Sequence, residues 1–286
     1  MKTISFVHHL ASGMRLFFLL VLSGLMLTSC SKFGKVLKSN DYEYKLKMAN
    51  TYYDKKDYRK TQVLFEELFP VFKGTAQHED LYYRYAYTHY NLRDFATAEN
   101  LYRGYLEIFA NSPRAEEVEF MQSYCYYRQS PKPELEQSNT IKAIGMFQIF
   151  ANTHPESPRK KEAEEIILKC QAKLEAKEFL SAQLYFNVGQ YRAAALSYTT
   201  LINNYPDSPK GDEYKLMAIK AYYRYATMSI ADKQEERFTK VITEVEDFQD
   251  RFPESKLLKE AERYLTLSKN YLKPQNNEQT TQADGK

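Results

Sequence analysis

The chain has 286 residues, long enough for one large domain or two ordinary ones. Hydrophobic residues make up 43%, and a mean hydropathy of −0.62 fits a well-solvated structure. Its 40 basic and 37 acidic residues are mixed along the chain and leave a net charge of +3, which argues against bulk nucleic-acid binding. With 9 Gly and 10 Pro, a turn-rich β-sandwich or barrel is disfavoured. The 25 Tyr and 17 Phe favour packed layers whose ring bodies are covered and whose hydroxyl tips reach water.

Residues 1–29 read as a leader. Lys2 and Arg15 carry positive charge, and Leu16 to Leu27 is a largely apolar stretch of 12 residues. A membrane-spanning helix needs about 20 residues, so the stretch fits the core of a signal peptide. It ends in Leu27-Thr28-Ser29-Cys30, which resembles the bacterial lipobox. That resemblance implies removal of residues 1–29 and acylation of Cys30, with Met14 a second candidate start. Burial of acyl methylenes, about 0.8 kcal/mol each, then holds the chain on a membrane. Ser31 stands where an Asp would signal inner-membrane retention, and Lys32-Phe33-Gly34-Lys35 lacks an acidic surface-export run. An outer-membrane anchor facing the periplasm is expected, with residues 30–39 as a solvated, lysine-rich tether.

Ser39, Asn40 or Asp41 can cap a first helix. From there to Leu272 the chain reads as helix after helix. Small and aromatic residues recur at fixed offsets, most clearly in Ala182, Tyr185, Gly189, Tyr191, Ala194, Tyr198, Leu201 and Pro206. The interval between the two small positions is 12 in three copies (49 to 61, 86 to 98, 182 to 194). Repeats three and five are stretched. Ser123 and Ala221 are placed as their first small positions, and Ala143 and Val241 as their second. Their turns are read as swollen, by Ser130 to Ser138 in one and by the charged run Asp232 to Arg237 in the other.

Between repeats stand Asn111-Ser112-Pro113, His154-Pro155-Glu156-Ser157-Pro158, Tyr205-Pro206-Asp207-Ser208-Pro209 and Phe252-Pro253-Glu254-Ser255. The first proline cannot continue a helix. The serine is expected as N-cap of the next helix, and the second proline at its first position. Lys256 to Leu272 reads as a closing amphipathic helix, and residues 273–286 as a disordered polar tail.

Paired helices with this small–aromatic code resemble the tetratricopeptide repeat. The resemblance implies an all-α, right-handed superhelix of about five helix pairs plus a C-terminal capping helix, spanning residues 40–272. The second small positions are 37, 45, 51 and 47 apart (61, 98, 143, 194, 241), wider than the usual period and compatible also with HEAT-like repeats. A lipobox, five such repeats, a last helix and a polar tail together resemble the BamD family, the lipoproteins of the β-barrel assembly machine. That resemblance implies a scaffold that binds the periplasmic domains of BamA, contacts other subunits of the machine and recruits unfolded outer-membrane proteins. Carried onto this chain, Tyr53, Tyr83 and Tyr87 are expected to offer an aromatic face to substrate segments. Tyr222, Arg224 and Arg237 are expected at the BamA interface. The alternative is another repeat lipoprotein, an adaptor in cell-envelope or peptidoglycan maintenance.

No phosphate-binding loop, nucleophile elbow, zinc-protease helix or C-x-x-C pair occurs. No catalytic residue, metal ligand or cofactor is expected beyond the covalent lipid on Cys30. The histidines past the leader, His78, His89 and His154, are isolated, and packing is expected for His89. Cys125 and Cys170 read as buried free thiols, with export leaving a disulfide open. The acidic groups Glu116, Glu117, Glu119 and Glu162, Glu164, Glu165 are expected to favour helix dipoles and solvation.

Overall fold

The computed structural model describes residues 32–273, and among these every regular element is a helix. A short helix, α1, covers 32–37. Four helices follow as two antiparallel pairs: α2 (Tyr42–Asp54) with α3 (Tyr58–Val71), and α4 (His78–Asn91) with α5 (Phe95–Ile108). Next come α6 (Ala115–Gln129), α7 (Ser138–Thr153) and the long α8 (Lys160–Asn187). The chain ends in α9 (Tyr191–Asn204), α10 (Gly211–Thr227), α11 (Ala231–Arg251) and α12 (Leu258–Leu272). These helices form two compact units. Among the described residues, the first holds 32–130 together with Ser138–Ile167, and the second holds Pro131–Gln137 and 168–273.

Each pair closes over its small residues. Ala49, Ala86, Ser123, Ala182 and Ala221 on the first helices, and Thr61, Ala98, Ala143, Ala194 and Val241 on the second, are all at most 1% exposed. A larger side chain at these places would hold the helices apart. Large rings fill the space within and between pairs: Phe65, Tyr102, Phe147, Tyr198 and Phe248 are fully buried. The register placed by Ser123 and Ala221 in the stretched repeats is the register observed.

The turn within a pair is built the same way three times. Lys56 (φ 59°), Arg93 (φ 65°) and Gly189 (φ 78°) are left-handed, each seven residues after the first small position. The following amide reaches back to the helix end: Asp57 N–H to Tyr52 O at 2.9 Å, Asp94 to His89 at 3.0 Å, and Gln190 to Tyr185 at 2.9 Å. This is the Schellman closure, which suits glycine because a Cβ strains a left-handed residue. Only the fourth repeat uses glycine.

The junctions between pairs differ from expectation. The next helix starts at Ala115, Lys160, Gly211 or Leu258, three residues after the serine. The serine therefore caps the turn and not the helix. Its hydroxyl accepts the amide two residues on, from Arg114 (3.0 Å), Arg159 (3.1 Å), Lys210 (3.2 Å) and Leu257 (3.0 Å). The same hydroxyl donates to a carboxylate on the preceding first helix. Ser112 reaches Glu79 at 2.7 Å, Ser157 reaches Glu116 at 2.6 Å, Ser255 reaches Asp212 at 2.6 Å, and Ser208 reaches Glu175. In each junction the serine sits in a separate tight turn ahead of the helix, where its hydroxyl faces the neighbouring first helix; a following proline is not required, since Ser255 precedes Lys256 and does the same. Pro113, Pro158 and Pro209 lie in that turn, outside the first helical position. Pro155, Pro206 and Pro253 do follow the ends of α7, α9 and α11.

Three further expectations are corrected. The run Asp232 to Arg237 is not a swollen turn but part of α11, because Asp-Lys-Gln-Glu-Glu-Arg consists mostly of good helix formers. The lysine-rich tether is helical from residue 32, and Val36 is 2% exposed against the first pair. Glu116, Glu117 and Glu119 are not simply solvated: they bind Ser157, two tyrosines and His154 respectively. Asp41 caps α2, accepting from the Tyr44 amide at 2.9 Å. Cys125 and Cys170 are buried free thiols, and burial pushes Cys125 up to about 12.

Hydrogen bonds from Ser112 and Tyr105 hold the Glu79 carboxyl below its ordinary value. A depressed carboxylate stabilises the fold above its unfolded pKa, and that contribution is lost as pH falls through the folded value. Ser112→Ala should therefore cost about 1–2 kcal/mol near neutral pH, with the deficit shrinking in acid. Denaturant melts of both proteins across pH check this, and a pH-independent deficit would contradict it. Arg93→Gly should raise stability by roughly 1 kcal/mol by relieving the left-handed strain, whereas Gly189→Ala should lower it by a similar amount.

Candidate protein-binding faces

In the first unit, the first helices of successive pairs place Tyr53, Tyr83 and Tyr87 on one polar-aromatic face. Tyr83 and Tyr87, one helical turn apart on α4, have ring centroids 4.7 Å apart. Both hydroxyls donate to Glu117 on α6, at 3.1 and 2.6 Å. Tyr53 on α2 is linked to them through Arg84, whose guanidinium lies 5.0 Å from the Tyr53 ring. Arg84 also binds Asp54 at 3.0 Å and Asp80 at 2.8 Å. Asp80 in turn holds Arg114 at 3.0 Å, and Arg114 stacks 4.5 Å from Tyr83.

The three expected tyrosines are thus together, but embedded in a network of alternating charge. The sequence reading missed Asp80, Arg84, Arg114 and Glu117. A signal was present: the partners lie 30 or 34 residues apart (Asp54–Arg84, Tyr87–Glu117, Tyr83–Glu117, Asp80–Arg114). These fall one or two helical turns short of the 37-residue step between first small positions (49, 86, 123), and so join one first helix to the next or to the residue that precedes it. Rigid tyrosines flanked by stacked arginines are the side chains most enriched at protein interfaces, because they offer large area at little entropy cost.

In the second unit, α9, α10 and α11 line an open concavity of about 540 Å³, with Tyr222 and Arg237 together with Arg192, Tyr225, Lys233 and Lys240 on its walls. Arg237 stacks 4.0 Å from the Tyr225 ring and donates to the Ser229 hydroxyl. Lys240 lies 5.7 Å from the Tyr222 ring and binds Glu244 at 2.6 Å. Glu244 also receives the buried Lys215 at 2.6 Å. Burial opposes the Glu244 charge, but the two lysines together keep its carboxyl below the usual range. Tyr222 and Arg237 are brought together as expected. Arg224 is exposed on the last turn of α10 and does not line the pocket. Arg192, Tyr225 and Lys240 were missed, because they are ordinary solvent-side residues in their own helices and converge only in the packed unit. Cys30 lies outside the described residues. Among the described residues no cluster of potential metal ligands occurs, and no helix is long and apolar enough to cross a membrane.

Burial pushes Tyr53, Tyr85, Tyr105, Tyr198 and Tyr205 from 10.0 up to about 12. The fold favours the neutral phenol, so this stabilisation is complete below pH 10 and is lost as pH rises toward 12. Phenolate absorbance should show a late-titrating group of tyrosines that ionise together with loss of helical circular dichroism. Full ionisation near 10 with the helices intact would contradict this.

The model of the outer membrane lipoprotein family YfiO, the BamD family, matches residues 40–237. No curated protein matches the chain at a significant level. Similar solved structures include the TPR2AB domain of yeast Sti1 in its pHSP90 complex, 13% identical, with a TM-score of 0.37, covering 80% of this chain and 98% of that one. A kinesin light chain of Podosopora anserina with nearly identical TPR-like repeats is 12% identical at a TM-score of 0.32, covering 74% of this chain and 96% of that one. The helix pairs, their small-residue closures and the family match over most of the repeat region agree: the chain belongs to the BamD (YfiO) family of outer membrane lipoproteins.

Proposed function

We propose that the chain is a scaffold of the β-barrel assembly machine, held on the periplasmic side of the outer membrane by lipid on Cys30. The observation that carries this reading is the match to the outer membrane lipoprotein family over residues 40–237. The two faces support a division of labour. Tyr53, Tyr83 and Tyr87 offer ring area and stacked arginines to extended, aromatic-rich segments of unfolded outer-membrane proteins. Tyr222 and Arg237, with Arg224 nearby on α10, serve the periplasmic domains of BamA, and other machine subunits bind elsewhere on the scaffold. A repeat array suits this task because each helix pair is fixed by its neighbours, which leaves the remaining faces free to vary. The reading assigns no reaction and no cofactor. More than one acyl chain is needed for lasting attachment, so the anchor is assigned to multiple acylation of Cys30.

Pull-down of the tagged, lipidated chain from outer membranes in mild detergent should recover BamA. Cys30→Ala should release the chain from the outer-membrane fraction. Recovery of peptidoglycan enzymes in place of BamA, with barrel proteins intact after depletion, would move the chain to the alternative role in envelope maintenance.

A further inference from the structure

The second unit's pocket has a chemistry that specifies its occupant more closely. Four cations, Arg192, Lys233, Arg237 and Lys240, line it with a single acid, Glu236; Lys233 pairs with Glu236 at 3.6 Å and Lys240 with Glu244 at 2.6 Å, so the charge available to a ligand is that of Arg192 and Arg237. Arg237 is oriented by its stack on Tyr225 and its bond to Ser229. A guanidinium has five N–H donors in a fixed fork, so donors remain for a ligand. The threonine hydroxyls of Thr239 and Thr243 add neutral hydrogen-bonding groups.

Exposed apolar side chains stand close in sequence to the lining residues. Met228 and Ile230, in the turn that leads to Lys233, are 73% and 71% exposed. Val188 and Leu196 flank Arg192 in sequence and are also exposed, Leu196 lying one helical turn along the same face of α9. A bare anion would use the cations and leave these side chains in water. A flat membrane would meet the exposed turn but would not enter a concavity of 540 Å³. A protruding protein segment uses both.

We infer that this pocket docks an acidic segment of a protein partner, a carboxylate seated against Arg192 and Arg237 with apolar neighbours packed on Met228, Ile230 and Leu196. The inference rests on the reading of this face as the BamA-binding side and names the chemistry the partner must present there.

The test uses the full lipidated chain in detergent and a dye-labelled, acetylated peptide that alternates Glu with Leu, read by fluorescence anisotropy. Binding should saturate and weaken with added salt. The same peptide with Gln for Glu should bind about tenfold more weakly, a loss of about 1.4 kcal/mol. Arg237→Glu and Arg192→Glu should each weaken the Glu peptide at least as much, with circular dichroism confirming that the helices remain. A Lys–Leu peptide should bind Arg192→Glu better than the parent protein. Binding indifferent to both substitutions, no saturable binding, or equal occupancy by inorganic phosphate alone or by anionic phospholipid vesicles would overturn the inference. The two readings fail separately. BamA recovery that survives Arg237→Glu overturns the pocket while leaving the scaffold role. Saturable, charge-dependent peptide binding without any BamA recovery leaves the pocket and removes the scaffold role.

Discussion

Everything in this fold depends on how closely two helices of a pair can approach. The approach is set by a small residue on each helix, and the ten positions that supply them are essentially sealed from solvent. Once a pair is closed, its aromatic residues have one side left to bury, and only the next pair can cover it. Stability is then a sum over neighbouring interfaces, and no single core has to serve the whole chain. This explains why the repeats tolerate different lengths. The long α8 and the extended α11 lengthen helices, while the loop at residues 130–137 lengthens a turn. None of these changes moves a small position out of contact.

The serine junctions do the second half of the work. Each hydroxyl closes its own turn and ties that turn to an acid on the preceding first helix. Three of the acids, Glu79, Glu116 and Asp212, come from the start of a first helix, so the clasp fixes the ends of those helices, while Glu175 holds the last of them from within the long α8. The polar-aromatic face sits on the same helices, so Tyr83, Arg84 and Tyr87 stand on a rigid platform. Rigid rings lose little entropy on binding, which is how a scaffold binds partners without rearranging. The charge network pairs Arg84 and Arg114 with Asp54 and Asp80 and holds the two guanidinium groups over the Tyr53 and Tyr83 rings.

Much of this was legible in the sequence because two local rules generate it. Two small residues 12 apart, in three of the five repeats, pointed to the helix pairing, and proline marked the helix ends. What was not legible depended on packing between repeats. The junction serines looked like N-caps because Ser-Pro before a helical run is the usual cap signature. Their actual partner, a carboxylate more than thirty residues earlier, has no local trace. The run Asp232 to Arg237 looked like a loop because it is charged, yet charge alone does not break a helix of good formers. Tyr53, Tyr83 and Tyr87 were found by helical position. Glu117, which joins two of them, was assigned to solvation because acids at helix starts commonly serve the dipole. Arg224 was expected on the same interface as Tyr222 from its helical position and type, but two residues along a helix turn a side chain to another face.

The scaffold role is tested most directly by measuring the abundance of outer-membrane β-barrel proteins after depletion of this chain. A selective fall in barrel proteins, with lipoproteins and peptidoglycan unchanged at first, is the expected result. Normal barrel levels throughout depletion would contradict it.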